Sequence, residues 1–299
     1  MNFDEPFIDA HQHFWDLGRN PYPWLQGETV PFRYGDYSAL KRNYLPVDMA
    51  ADTSGFGPAK TVHIEAEWDR AASVAETHWL TELAEATGRP SACVAHAALD
   101  HGDADEVLAE QAACALVRGI RHKPVTSAIC ADARRGIPGS MDDDRWRRGY
   151  ARLARHGLSF DLQAPWWNLD QAADLAQDFS ATQIIINHTG LPSDRSAEGL
   201  AGWRHAMERV AQYDNVAVKI SGLGQRGVAW SVDANGPIIR DTIAIFGVNR
   251  CMFASNFPVD SLVASYETLL MGFVAVIADC SPEARRSLLH DNAERIYRL

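Results

Sequence analysis

The chain is poor in cysteine and has no arrangement of cysteines that could staple or chelate. Cys93, Cys114, Cys130, Cys251 and Cys280 are scattered over 299 residues, and none stands in a Cys-x-x-Cys pair. That excludes a zinc knuckle and a disulfide framework, and it fits reduced thiols in a cytoplasmic setting. Long apolar runs are also missing: nothing approaches the roughly 20 residues that cross a bilayer, and the opening MNFDEPFID is acidic without a signal core. A membrane location is therefore not expected. Cations are outnumbered, 28 Lys and Arg against 39 Asp and Glu, for a net charge of −11. Nucleic acid binding needs clustered positive charge, so it is not expected as a partner. The arginines between 145 and 155 have helical spacing and read as a solvated helix face. No Gly-x-Gly-x-x-Gly follows the first β-rich run, which argues against a dinucleotide fold. No linker or shift in composition divides the chain, so residues 1–299 read as one domain.

What is present is alternation. Eight short β-rich runs occupy 7–13, 61–67, 92–98, 117–122, 158–164, 183–188, 216–221 and 251–256. Helical periodicity fills 71–87, 104–116, 142–156, 169–177, 198–213 and 237–246, with two further helices at 262–278 and 282–289. Strands alternating with helices imply right-handed βαβ units and a parallel sheet. Eight units in this length predict an α/β fold of the (β/α)8 barrel type. The long connections 17–57, 127–141 and 222–236 follow strands, which places them at the C-terminal mouth where barrels build substrate pockets.

Polar residues collect at the same strand ends. In IDAHQHFWD (8–16), His11 and His13 stand two apart, which on a strand directs both imidazoles to one face. The second strand carries His63, Glu65 and Glu67; the fourth ends in Arg121, His122 and Lys123; the fifth offers Asp161 and Gln163. His188 ends the sixth, Lys219 and Ser221 lie on the seventh, and Asn256 ends the eighth, with Asp260 four residues on. Each has a plain structural alternative, such as an ion pair or a cap. Their shared placement at one end of the barrel is what predicts a common pocket holding His11, His13, Glu65, Arg121, His188 and Asn256.

Several strings resemble the amidohydrolase superfamily, and within it the lactone-hydrolysing group that includes sugar lactonases and 2-pyrone-4,6-dicarboxylate lactonases. They are IDAHQHFWD (8–16), PYPWL (21–25), GIRH (119–122), INHTGLP (186–192), VKISGL (218–223) and MFASNFPVD (252–260), and they span the whole chain. The resemblance implies a distorted (β/α)8 barrel that hydrolyses a small-molecule lactone. It places the family's first-strand pair on His11 and His13, its sixth-strand histidine on His188 and its fourth-strand arginine on Arg121. Relatives end strand eight in Ser-Asp-Trp-Pro and use that aspartate as general base; here the string is Ser255-Asn256-Phe257-Pro258. An amide takes no proton at neutral pH and is a poorer zinc ligand than a carboxylate.

Two routes to lactone opening stay open. His11, His13 and His188 are enough for an open tetrahedral site that would hold a divalent metal, zinc first. Without a metal, the same histidines and Arg121 would donate to the carbonyl oxygen. With Asn256 in place of the base, Glu65 is the first candidate for proton transfer, then Glu67 and Asp260. Trp15, Trp24, Trp166 and Trp167 are expected to line the pocket, with His122, Gln163 and Asp260 as further substrate contacts. Two rival functions share the fold: a non-oxidative decarboxylase of aromatic acids, against which Asn256 counts, and a barrel that binds a metabolite without turning it over. The sequence leaves the oligomeric state open and allows a homodimer.

Overall fold

The computed structural model describes residues 5–299, so the first four residues of the acidic N-terminal stretch lie outside it. Eight parallel strands form one sheet in chain order: β1 (Ile8–Gln12), β2 (Lys60–Ile64), β3 (Ala92–Ala95), β4 (Val117–Ile120), β5 (Ser159–Leu162), β6 (Ile184–Ile186), β7 (Val216–Ile220) and β8 (Cys251–Phe253). The seam between β8 and β1 is closed beyond the strands proper. Asn256 N–H donates to the His11 carbonyl at 2.7 Å and His13 N–H to that of Phe257 at 2.8 Å. The expected (β/α)8 barrel is the observed fold. All eight strands fall where the β-rich runs predicted them, but shorter, because each run's last residues leave the ladder to form the mouth.

Alternation sorts the side chains. Ile184, Ile186, Val216, Val218 and Ile220 pack outward against the helix layer, while Ile185, Ala217, Met252 and Ala254 fill the barrel interior with Ile8, Ala10, Val62 and Ile64. The helices Ser73–Thr87, Ala104–Ala113, Leu169–Asp178, Ala197–Val210 and Tyr266–Val276 cover the outside. Glycine is required at one strand contact: a Cβ on Gly119 would lie 2.2 Å from Ser159 Oγ, so only glycine lets β4 approach β5 so closely.

Two elements differ from expectation. The helix expected over 237–246 begins earlier and runs Val232–Phe246, with Ser231 Oγ accepting from Ala234 N–H and Pro237 tolerated inside it. The short helix Asn292–Tyr297 has no clear signal of its own, yet Ala293, Ile296 and Tyr297 plug the barrel floor. Above that plug lies a fully buried ion pair. Lys219 Nζ stands 2.5 Å from Asp161 Oδ1, and the Tyr297 hydroxyl and Asn187 Nδ2 also donate to Asp161. The polar faces read on strands five and seven therefore meet beneath the mouth, where Asp161 and Lys219 satisfy each other.

Candidate active site

A bulge aims the first-strand histidines. Register with β2 slips between Asp9 and Gln12, so β1 carries one extra residue there. Ala10 remains in the interior cluster while Asp9 turns outward to the Ser255 and Tyr266 hydroxyls. His11 and His13 then both face the mouth. Their Nε2 atoms are 3.3 Å apart, and the His188 ring lies with its centroid 4.5 Å from that of His11. His188 and Asn256 hold φ of 53° and 58°, in the left-handed region that costs a non-glycine residue about 1–3 kcal/mol. Both backbones bend inward at the point where their strands end.

The hydrogen bonds fix what each atom offers. His13 Nδ1 lies 2.7 Å from the Ile64 carbonyl, which only accepts, so Nδ1 carries the proton and Nε2 a lone pair. Asn256 Nδ2 donates to Asp260 Oδ1 at 2.6 Å, so Asn256 Oδ1 is the atom that faces His13 Nε2 at 3.3 Å. Two acceptors thus confront each other with His11 Nε2 beside them. His188 Nδ1 is paired with Ser221 Oγ at 3.0 Å. All three imidazoles are kept neutral, their pKa values pushed well below the ordinary 6.5. Burial is the main cause, followed by the charges of Lys219 for His11, Arg121 for His13 and Arg33 for His188.

Glu65 is not where a proton acceptor would be. Val62 and Ile64 point into the barrel, so Glu65 alternates away from the interior. It is 1% exposed, receives Arg121 Nε at 2.7 Å and Arg70 Nη1 at 2.9 Å, and its carbonyl receives Arg121 Nη2 at 2.5 Å. Burial raises its pKa, but the guanidinium charges of Arg121 and Arg70 outweigh that and hold it well below the carboxylate range. Glu65 is engaged by Arg121 and is not among the cavity's lining residues, which corrects its expected place in the common pocket and matches the ion pair given as the alternative. Glu67, with φ of 61°, turns the other way and lines the cavity, ion-paired to Lys123 and Arg70.

The cavity above these groups has a volume of about 360 Å³. Trp15, Trp24 and Phe32 line it together with Glu67, Arg121, Lys123, Gln163, His13, His188 and Asn256, and Trp24 Nε1 donates to the Ala66 carbonyl next to Glu67 at 2.9 Å. Gln163 Oε1 also accepts from Arg121 Nη1 at 3.1 Å. Trp24 and Gln163 are thus placed as expected, and Glu67 is the single carboxylate among the described lining residues. Asp260 is buried behind Asn256 and does not reach the cavity.

Besides Asp260, three expected contacts lie elsewhere: His122, Trp166 and Trp167, the last of which lines a neighbouring cavity. His122 follows Arg121 directly, so alternation sends it outward, where Nδ1 accepts from Leu99 N–H and the ring stacks on Trp146. Trp166 is spent on packing: a Cβ on Gly202 would come within 2.6 Å of its ring. In the other direction, Arg33 lines the cavity and contacts Tyr34 and Asp260 from the long first loop. It lies in no motif, so nothing local marked it.

Whether a divalent ion fits can be tested on spacing. Two donors each 2.0–2.1 Å from a tetrahedral zinc stand about 3.3 Å apart. That is the separation of His11 Nε2 from His13 Nε2, and of His13 Nε2 from Asn256 Oδ1. Among the described residues no three His, Cys, Asp or Glu side chains converge in ligating geometry. The donor set offered is therefore His11, His13 and the Asn256 oxygen, with His188 alongside through its ring.

Similarity to known proteins follows the same outline. A family model described as "Amidohydrolase" matches residues 8–299. An uncharacterized protein of Sinorhizobium fredii is 40% identical over 99% of this chain and 99% of its own length. An L-fucono-1,5-lactonase of Burkholderia multivorans is 29% identical over 87% of this chain and 84% of its own. The crystal structure of an amidohydrolase from Burkholderia multivorans with bound zinc superposes with a TM-score of 0.81 at 25% identity, covering 98% of this chain and 99% of that one.

Proposed function

This chain belongs to the amidohydrolase family, and on that premise we propose that it opens the ring of a small lactone by water attack at the barrel mouth. The observation that carries the reading is the pair of facing lone pairs, His13 Nε2 and Asn256 Oδ1, in the lining of a cavity that also holds the cationic side chains of Arg33, Arg121 and Lys123. The resemblance to a lactonase over most of the chain supports the same class.

The residues divide the work. The substrate ring lies against Trp15, Trp24 and Phe32, whose faces suit the apolar side of a sugar or an unsaturated ring. Arg121, held rigid by Glu65 and Gln163, points its remaining N–H groups at the carbonyl or at a ring carboxylate. Water donates one hydrogen bond to the His13 Nε2 and Asn256 Oδ1 pair, which sets its line of attack and leaves its second proton for transfer. Glu67, kept ionised by Lys123 and Arg70, takes the proton lost by the attacking water and returns it to the leaving ring oxygen, so that no net proton is consumed in ring opening. A divalent ion held by His11, His13 and Asn256 would supply Lewis acidity, lowering the pKa of water and polarising the carbonyl.

The test is a panel of sugar lactones and pyrone carboxylates, with acid release followed by a pH indicator, with and without added zinc. Acidification with at least one lactone, lost in His13→Ala, is expected. No turnover on any member under either condition overturns the proposal in favour of a non-catalytic binding barrel.

A further inference from the structure

A second cavity of about 520 Å³ opens beside the reaction chamber, between the connections that follow β4, β6 and β7. Arg33, Arg195 and Arg226 line it, and no Asp or Glu does, in a chain where acids outnumber bases 39 to 28. Arg33 is engaged by Tyr34 and Asp260, but the other two guanidinium groups are under-used. Arg226 has no side-chain hydrogen bond or ion pair among the described residues. Arg195 spends Nη2 on the Leu223 carbonyl at 2.9 Å and on Asn235 Oδ1 at 3.4 Å, while its Nε and Nη1 are buried without a partner. A guanidinium offers five N–H groups, and leaving buried ones unpaired is costly.

We propose that this chamber binds an organic anion, with the carboxylate held by Arg33, Arg195 and Arg226 and the apolar body against Trp167 and Leu191. Asp260, behind the wall, offsets Arg33 alone; Arg195 and Arg226 have no carboxylate partner among the described residues, and like charges lining one cavity repel unless a counter-ion offsets them. Two features tie the chamber to the reaction site. Arg33 lines both cavities. Gly222 lines the chamber and backs onto His188, so closely that a Cβ there would lie 2.7 Å from the His188 Cβ. An anion seated here therefore stands next to His188 without touching Glu67 or Asn256.

The experiment is titration calorimetry on the full chain with benzoate, acetate and inorganic phosphate at constant ionic strength, so it needs no turnover and is independent of the lactone reading. Saturable binding of benzoate is expected, weakened roughly tenfold or more in Arg195→Gln/Arg226→Gln, where two charge-assisted contacts are lost. Arg148→Gln, an exposed change on a distant helix, should bind as the native protein does. If the double variant fails to fold, Arg226→Gln alone decides, since Arg226 is exposed and its loss breaks no partner. Benzoate tighter than both acetate and phosphate assigns a carboxylate on an apolar body. Phosphate tighter than benzoate overturns that assignment in favour of a phosphorylated or inorganic anion. Absence of saturable binding by all three, or equal benzoate binding in native and variant, overturns the chamber as an anion site.

Discussion

Asn256 Nδ2 donates to Asp260 Oδ1 at 2.6 Å, and that bond turns the amide so that its oxygen faces His13. Asp260 is itself held by Tyr34 at 3.0 Å and Arg33 at 3.4 Å. The carboxylate nearest the end of strand eight lies four residues on, behind the Asn256 amide. We propose that Asp260 is a positioning residue for that amide.

Removing that bond should free the amide. Asp260→Ala leaves Asn256 Nδ2 without its buried acceptor, and turnover is expected to fall about tenfold or more. Asp260→Asn keeps a carbonyl oxygen in place and should retain most of it. Comparing kcat for the two variants checks the point, and equal losses would show that charge rather than orientation matters.

Glu65 and Glu67 should separate cleanly. Glu67→Gln is expected to cost on the order of 10²-fold in turnover with little change in thermal stability. Glu65→Gln leaves Arg121 buried opposite an uncharged amide and should destabilise the fold by roughly 3–5 kcal/mol. Thermal unfolding and initial rates on both variants decide between these assignments; full activity in Glu67→Gln would remove it from proton transfer.

The donor set predicts metal behaviour. Zinc content by elemental analysis should drop sharply in His11→Ala and His13→Ala. It should persist in His188→Ala, because among the described residues no third histidine converges with His11 and His13 in ligating geometry. His188→Ala should nonetheless lose turnover, because the ring lines the cavity. Loss of zinc in His188→Ala would place that histidine among the ligands.

Acid should destabilise the protein below the ordinary histidine range. Burial pushes His63 and His96 down to about 3, so between pH 6.5 and 3 the unfolded chain binds protons that the folded chain does not. Each contributes a loss of about 1.4 kcal/mol per pH unit across that window as pH falls. Glu76, pushed up to about 8 by burial and the Glu65 charge, works in the opposite direction between 4.5 and 8, since only its folded form keeps the proton there. Two histidines outweigh one carboxyl, so denaturant midpoints should fall between pH 6 and pH 4.5; midpoints that rise over that range would refute the assignment.

The fold was legible because it rests on periodicity. Alternating apolar runs such as Ile184–Ile186 and Val216–Ile220 carry their strand identity locally, and the count of eight then leaves little topological freedom. The pairing of His11 with His13 was legible for the same reason. What strand ends do to Glu65, Glu67 and His122 was not, because one residue of register exchanges the two faces of a strand. The bulge at Asp9–Gln12 and the left-handed turn at Glu67 are settled by packing against neighbouring strands. Arg33 reaches the site from a loop with no repeating pattern, and Asn292–Tyr297 seals the floor only because the barrel leaves an apolar opening there. Local sequence determined the elements and the residue types at their ends. Which of those residues share a cavity was decided by contacts between segments more than 200 residues apart, such as His13 with Asn256, and no local pattern encodes them.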